Sequence, residues 1–185
     1  VLDRLALNAG SYLLATVHRA ENTDDPARLA AILEAFGAIQ EPIVFPAHPR
    51  TRSALNALEL SVPANVRLVE PVGYLDMLWL EKHARLILTD SGGVQKEAYV
   101  FGVPCVTLRD ETEWVETVEA GWNVVLGTEP DRILQTVRSF ILPVDHPALY
   151  GDGRTAEHIS RLLEACRVLE GRASVKARIT RAGSR

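Results

Sequence analysis

Three of the smallest residues, Ser91, Gly92 and Gly93, stand where a predicted strand passes into a predicted helix. The first backbone N–H groups of a helix have no acceptor within it, and the helix dipole favours an anion at that end. Glycine lets a phosphate approach the backbone without a Cβ in the way, and the Ser91 hydroxyl is a further donor. Glu97 follows at roughly 6–8 Å along the helix, a spacing that suits a carboxylate accepting both hydroxyls of a ribose. These residue types indicate a site for a phosphate-bearing nucleotide.

A plain capped helix is the alternative interpretation of the same stretch. Asp90 or Ser91 would then be the N-cap, and the glycines would allow close packing. Two better-known phosphate motifs are excluded. No Gly-Lys-Ser/Thr sequence ends the stretch, so it is not a P-loop, and it lacks the G-x-G-x-x-G of a dinucleotide fingerprint.

A second polar loop, TVHRAEN at residues 16–22, ends the first predicted strand. His18 is able to donate to a phosphate or to hold a proton near neutral pH, and a hydrogen-bonded loop histidine is the alternative. Arg19, Glu21 and Asn22 add three more polar side chains to the same loop. Several polar residues at the end of one strand favour a functional site.

The elements that must position these loops alternate along the chain. Strands are predicted at 12–17, 42–47, 65–71, 85–90, 104–109 and 123–127, and helices at 25–39, 51–60, 74–83, 92–101, 113–120, 129–142 and 154–170. Asp25 and Pro26 suit the N-cap and first helical position, and Leu75, Leu78 and Trp79 lie on one helix face that we expect to be buried. The strands are continuous runs of Val, Ile and Leu, which predicts an α/β, Rossmann-like parallel sheet with helices on both faces.

Composition sets the limits of function. The 185 residues carry a net charge of −4 with 47% hydrophobic residues, so we expect no nucleic-acid or membrane-surface role. No apolar run approaches the roughly 18 residues of a membrane span, and no secretory signal is visible. Cys105 and Cys166 follow no metal spacing, so we expect reduced thiols in a cytoplasmic protein without an essential metal or cofactor.

The chain begins at Val1, and we expect it to be a piece of a longer protein. We also expect the basic stretch at 171–185 to be a disordered tail.

Five segments together resemble the non-hydrolysing UDP-N-acetylglucosamine 2-epimerases. They are TVHRAEN, FPAHPRTR, LTDSGGVQKEA, GVPCVTLRDETEW and YGDGRTA, in this order, and the resemblance covers residues 12–165. It implies one lobe of a GT-B-type two-lobed fold, with residues 1–170 as the C-terminal UDP-binding domain and the N-terminal lobe absent. It also implies a homodimer for the full-length protein, and interconversion of UDP-GlcNAc and UDP-ManNAc by elimination and re-addition of UDP.

The resemblance also implies roles for individual residues. Ser91, Gly92 and Gly93 would hold the diphosphate, Glu97 the ribose, and Val72 and Met77 the uracil, while His18 would contact the phosphates as the catalytic residue that helps UDP leave. Arg19 and His48 match positions that line a second, activating UDP-sugar site, and a structural role for His48 is equally open.

Two departures from the family pattern put the exact sugar in doubt. Trp114 stands where many members have an arginine that reaches the ligand, and Met77 stands where an aromatic residue is frequent. Related epimerases act on diacetamido-uronic acid nucleotides.

A UDP-sugar glycosyltransferase lobe and a non-catalytic UDP-sugar-binding domain remain as alternative functions. We expect the isolated chain to be inactive, because the acid/base carboxylates of the family belong to the other lobe.

Overall fold

The computed structural model describes residues 1–166 and contains a sheet of six parallel strands. The strands are β1 (Leu13–Thr16), β2 (Ile43–Pro46), β3 (Val66–Val69), β4 (Leu86–Thr89), β5 (Cys105–Thr107) and β6 (Asn123–Val125). Their order across the sheet is β3-β2-β1-β4-β5-β6, and every neighbouring pair is parallel. The predicted α/β, Rossmann-like sheet is confirmed, because every predicted strand is present within a few residues of its expected bounds.

Within residues 1–147, seven helices connect or follow these strands. They are α1 (Ala20–Thr23), α2 (Pro26–Ala38), α3 (Pro49–Ala57), α4 (Tyr74–His83), α5 (Gly92–Phe101), α6 (Val115–Glu119) and α7 (Pro130–Ser139). Asp25 caps α2 as predicted, since its carboxylate accepts from the N–H groups of Ala27 at 2.9 Å and Arg28 at 3.2 Å. α1 was not predicted, because its four residues are too few to show a helical period.

Helices cover both faces of the sheet, as the apolar strands predicted. Leu13 of β1 belongs to a core cluster with residues of α2 and α7, and its neighbour Leu14 belongs to a second cluster with residues of α4 and α5. Successive side chains of a strand point to opposite faces, so these clusters are the two layers of one domain. All four residues of β1 and all four of β4 are buried.

The buried face of α4 differs from the predicted one. Leu75 is 78% exposed and Trp79 is 50% exposed, so the expected burial of that face is wrong. Leu80 and Glu81 are fully buried instead, and Met77 packs partly against the same cluster. The ten residues of α4 include apolar side chains on more than one side of the helix, and only packing against the sheet selects which side is buried.

The strand order places the two predicted site loops side by side. β1 and β4 are neighbours at the centre of the sheet, with Thr16 paired to Thr89 at their carboxyl ends. From β1 the chain runs outward to β2 and β3, returns to β4, and then runs the other way to β5 and β6. This reversal is the topological switch point, where open α/β sheets bind ligands.

The chain divides into two compact units, Val1–Pro147 and Ala148–Arg185. The first contains the whole sheet. Within the second, residues 155–166 are helical and exposed. No helix in the described part is both long enough and apolar enough to cross a membrane. The predicted tail at 171–185 lies outside the described residues, and the expected domain 1–170 stays a prediction.

Candidate functional site

Asp90 joins the two loops at the switch point. Its side chain is fully buried directly after β4, and its carboxylate accepts from the backbone N–H groups of His18 at 3.0 Å and Arg19 at 2.9 Å. The side-chain amide of Asn22 donates to the same carboxylate at 3.1 Å. His18 Nδ1 lies 3.3 Å from Asp90 Oδ1, so Nε2 is the ring nitrogen left for a ligand. One buried carboxylate therefore fixes both the backbone and the imidazole of the TVHRAEN loop.

Two threonines below Asp90 hold the strand ends together. The hydroxyls of Thr16 and Thr89 lie 2.5 Å apart, and both residues are buried. Thr89 Oγ1 also accepts from the backbone N–H of Ser91 at 2.9 Å. The Ser91 amide is therefore not available to a ligand. A diphosphate site made of backbone amides would begin at Gly92.

The start of α5 presents two further amides. Ser91 is the N-cap, as one sequence interpretation proposed, and its hydroxyl accepts from Val94 N–H at 3.5 Å. Among the described residues nothing accepts a hydrogen bond from the N–H groups of Gly92 or Gly93. These are the unpaired donors that the N-terminus of a helix offers to an anion.

The two glycines differ in what surrounds them. A Cβ on Gly92 would come 2.5 Å from Glu113 Oε1, so the missing side chain makes room for that carboxylate. A Cβ on Gly93 would touch only Ser91 Oγ, at 3.8 Å, and Gly93 is exposed. Sequence reasoning assigned both glycines to ligand approach. The structure gives Gly92 a packing reason and leaves Gly93 as the open position.

Glu113 belongs to a charged cluster that covers the start of α5. Its carboxylate accepts from Arg109 Nη1 at 2.7 Å and lies 3.9 Å from Arg19 Nη2. A hydrogen bond from its own backbone, followed by the contact with Arg109, lowers the pKa of Glu113, so it is ionised at neutral pH. The neighbouring Trp114 donates from its indole Nε1 to Gly92 O at 2.7 Å. Arg19 and Arg109 thus place positive charge beside the helix N-terminus, partly neutralised by Glu113.

Glu97, the predicted ribose ligand, lies on α5 facing α4. The hydroxyl of Tyr74 donates to Glu97 Oε1 at 3.3 Å. The negative charge of Glu97 raises the pKa of Tyr74. Glu81 of α4 is the other acidic neighbour, and burial, followed by the charge of Glu97, raises the pKa of Glu81 to about 8.

Val72 and Met77, the predicted uracil contacts, lie beyond the end of β3. Both are partly buried against the cluster that α4 and α5 cover. A cavity of about 420 Å³ borders this segment, and Val72 and Gly73 are among its lining residues whereas Met77 is not. The cavity also has charge at its rim, where Arg4 and Asp76 form an ion pair at 2.6 Å.

Arg19 and His48, the predicted activator-site residues, both flank the catalytic candidate His18. The imidazole rings of His18 and His48 have centroids 6.1 Å apart. His48 is also the N-cap of α3, because its Nδ1 accepts from Arg50 N–H at 3.2 Å. The structural role considered for His48 is therefore present, and the activator role of both residues stays a prediction.

His18, Ser91, Gly92 and Gly93, predicted from the sequence, lie at neighbouring strand ends, but the residues that support them were not predicted. Asp90, Thr89, Glu113 and Glu81 were not singled out as site residues. For Asp90 a signal existed, since a carboxylate directly after a buried strand and before Ser-Gly-Gly stands at a strand's carboxyl end. The assembled groups suit a diphosphate held by Gly92 and Gly93 N–H, the Ser91 hydroxyl and His18, with Glu97 left to accept hydroxyls.

Comparison with known proteins identifies the family of this chain. The profile of the UDP-N-acetylglucosamine 2-epimerase family matches residues 1–164. A UDP-2,3-diacetamido-2,3-dideoxy-D-glucuronate 2-epimerase of Pseudomonas aeruginosa is 50% identical over 157 residues, which are 82% of this chain. A UDP-N-acetylglucosamine 2-epimerase of Methanocaldococcus jannaschii is 44% identical over 161 residues, again 82% of this chain. The chain spans 44% of the length of each of these two relatives.

Solved structures agree in fold. The Methanocaldococcus jannaschii UDP-GlcNAc 2-epimerase in complex with UDP-GlcNAc and UDP superposes with a TM-score of 0.77 at 42% identity. The match covers 85% of this chain and 46% of that one. The calicheamicin glycosyltransferase CalG4 superposes with a TM-score of 0.52 at 22% identity, over 71% of this chain and 34% of its own, which shows likeness of fold alone.

Proposed function

This chain belongs to the UDP-N-acetylglucosamine 2-epimerase family, and we propose that it is the nucleotide-binding half of such an enzyme. The observation that carries the proposal is that nothing within residues 1–166 accepts a hydrogen bond from the N–H groups of Gly92 and Gly93, at the strand end next to that of His18. Together they form a donor set for a diphosphate at the switch point of the sheet. The complex of the Methanocaldococcus jannaschii relative with UDP-GlcNAc and UDP supports a UDP-sugar as the ligand.

The proposed reaction is an elimination followed by re-addition. A base removes the proton at C2 of the sugar, the C1–O bond to UDP breaks, and UDP returns after the glycal is protonated on its opposite face. Ser91, Gly92 and Gly93 would stabilise the charge on the departing diphosphate, as preorganised donors do for charge that develops in a transition state. His18 Nε2, oriented by the Asp90 carboxylate, would contact the same phosphates. The groups that exchange the C2 proton would come from the other half of the full-length protein.

Two sugars are candidates for the site. UDP-GlcNAc is named for the Methanocaldococcus jannaschii relative, and a UDP-diacetamido-glucuronate for the Pseudomonas aeruginosa relative at 50% identity. Many family members have an arginine at the position of Trp114, whose indole N–H donates to Gly92 O. This departure from the common pattern lies next to the proposed diphosphate site, and it favours the UDP-diacetamido-glucuronate. Assays with both nucleotides on the full-length protein would decide between them.

The same proposal covers the setting of the protein. We place the full-length enzyme in the cytoplasm, as a homodimer that supplies a nucleotide sugar for a cell-wall or surface polysaccharide. The two separated cysteines, which follow no disulfide or metal spacing, support the compartment. Family likeness alone supports the dimer and the pathway.

Calorimetric titration with UDP tests the site at Gly93. In Gly93→Asp, a carboxylate at the start of α5 stabilises the helix but repels the diphosphate. We expect at least a tenfold loss of affinity, equivalent to about 1.4 kcal/mol. Gly93→Ala is the matched uncharged variant and should weaken binding less than Gly93→Asp does, because its Cβ adds no charge and the nearest protein atom to it is Ser91 Oγ at 3.8 Å. Equal affinities of Gly93→Asp and the parent chain would remove the assignment.

A further inference from the structure

Glu81 is a carboxylic acid inside the apolar layer beneath the proposed nucleotide site. The residue is 0% exposed and directly follows Leu80, a member of the buried cluster that α4 and α5 share. Among the described residues no donor reaches either of its carboxyl oxygens. Burying an ionised carboxylate without a donor or a cation costs several kcal/mol, so the acid is stable here in its protonated form.

The groups that face Glu81 are acidic or apolar. Glu97 approaches Glu81 from α5. Cys105 of β5 is also a neighbour, close enough for a negative charge on Glu81 to raise the pKa of the thiol. On α4 itself Tyr74 lies seven residues earlier, on the same side of the helix. Burial raises the pKa of Cys105 to about 12, so that thiol is neutral. None of these neighbours is a cation. Among them, Glu97 is the carboxylate that can accept a hydrogen bond from a protonated Glu81.

The position of Glu97 explains how a protonated Glu81 would fix the orientation of the Glu97 carboxylate. Glu97 lies on α5 and meets Tyr74 and Glu81, which both belong to α4. A side-chain hydrogen bond between Glu81 and Glu97 is one of the contacts that raise the pKa of Glu81, after burial and the charge of Glu97. Tyr74 donates to Glu97 Oε1 from one side. A protonated Glu81 is placed to donate from the other side, which would hold the Glu97 carboxylate in one rotamer.

We infer that Glu81 is a positioning residue, which keeps its proton and donates it in a hydrogen bond to Glu97, so that Glu97 stays an anion oriented toward the ribose hydroxyls. The inference rests on the proposed nucleotide site and deepens it. No proton is transferred in this arrangement. Glu81 remains the acid, Glu97 remains the carboxylate, and a bound ribose donates its hydroxyl hydrogens to the oxygen of Glu97 that the protein leaves available.

Nucleotide binding then depends on pH through Glu81. Below the pKa of about 8 the acid donates to Glu97. Above it, Glu81 becomes a second anion without a donor, repels Glu97 and disturbs the α4–α5 contact. Affinity for UDP should accordingly fall as pH rises from 6.5 to 9, in addition to any titration of UDP itself.

Titration with UDP at pH 6.5 and pH 9 tests this with three variants. Glu81→Gln keeps a donor and cannot ionise, so it should match the parent chain at pH 6.5 and bind about tenfold more tightly than the parent at pH 9. Glu81→Met fills the same space without a donor and should bind several-fold more weakly than the parent at pH 6.5. Glu34→Gln removes an exposed carboxylate on α2 and should follow the parent at both pH values. Because UDP titrates identically in every experiment, the differences report Glu81.

A readout without nucleotide separates this inference from the proposed function. A folded-state pKa raised from 4.5 to about 8 gives stability that is complete below pH 4.5 and is lost as pH rises to about 8. The unfolding equilibrium constant of the parent, relative to that of Glu81→Gln, should rise about tenfold per pH unit across this window and be flat above it.

Two results would overturn the inference. One is a ratio of unfolding constants that does not change with pH, which would show that Glu81 is ionised in the folded chain. The other is a Glu81→Gln protein whose UDP affinity falls with pH as steeply as that of the parent. Failure of the parent to bind UDP at pH 6.5 would instead count against the proposed function, and the unfolding ratios would then decide on Glu81 alone.

Discussion

At the scale of single residues, a buried carboxylate organises the proposed site without belonging to its ligand-facing surface. Asp90 accepts from His18 N–H, Arg19 N–H and the Asn22 amide, which lie about 70 positions earlier in the chain. Hydrogen bonds to an ionised acceptor are stronger than neutral ones, so these contacts stabilise the loop in one conformation. Asn22 also donates to Leu108 O after β5, which extends the same network across three neighbouring strand ends.

Substituting Asp90 tests that organisation. In Asp90→Asn one carboxyl oxygen becomes an NH₂ group that cannot accept from the His18 amide, and the remaining bonds lose their charge assistance. We expect a loss of about 1–3 kcal/mol in the free energy of unfolding, measured by urea denaturation. UDP affinity should fall in parallel because His18 loses its fixed orientation.

Asp110→Asn is the matched control for this experiment. Asp110 lies at the end of β5 and its side chain is 75% exposed, paired with Arg28 at 3.1 Å. Exposed ion pairs contribute about 0–1 kcal/mol, so this variant should unfold nearly as the parent does. Equal destabilisation by the two substitutions would show that Asp90 has no special role.

At the scale of elements, α5 is defined by its two ends. Ser91 caps its first turn, and the N–H groups of Gly102 and Val103 bond Tyr99 O and Ala98 O at 2.9 Å each to close its last turn. Gly102 has φ +66°, the left-handed conformation that follows many helices. These two ends fix where the unpaired amides of Gly92 and Gly93 begin and where the chain turns into β5.

The C-terminal glycine of α5 yields a prediction about stability alone. An alanine at position 102 would be sterically free, since its Cβ would meet only Trp122 Cη2 at 4.0 Å, but it would have to adopt a left-handed backbone. We expect Gly102→Ala to lower the free energy of unfolding by about 1–2 kcal/mol in urea titrations and to leave UDP affinity unchanged. A variant as stable as the parent would show that this turn relaxes without cost.

At the scale of the whole molecule, the sheet reverses direction between β1 and β4 and brings the proposed UDP site to that crevice. The chain matches 44% of the length of the two relatives described, so it contains about half of what those proteins contain. Binding and chemistry are expected to separate along that division. The half described here has the proposed diphosphate donors and the proposed ribose ligand Glu97, while we assign the groups that exchange the sugar proton to the other half.

An activity assay on the isolated chain tests this separation. We expect the 185-residue chain to bind UDP weakly and to leave UDP-N-acetylglucosamine unchanged, as monitored by the sugar C1 and C2 proton signals over many hours. The full-length protein in the same buffer is the positive control. Formation of the C2 epimer by the isolated chain would show that acid/base groups are present in this half.

The sequence by itself determined the class of fold and indicated the place of the candidate site. Continuous apolar runs predicted buried parallel strands, Asp25 and Pro26 marked the start of α2, and Ser-Gly-Gly after a strand indicated an anion site. These features depend on neighbours within a few residues, so local propensity and periodicity are enough to predict them.

Only the tertiary structure decided which loops meet and which face of a helix is buried. Asp90 contacts residues some 70 positions away because the crossovers place β4 beside β1, and Glu113 covers Gly92 because β5 is the next strand. Trp79 is exposed and Glu81 is buried because α4 packs on α5 and the sheet, although hydrophobicity alone predicted burial of the Trp79 face. Contacts between distant segments follow from the topology of the whole chain, and no local pattern in the sequence carries that information.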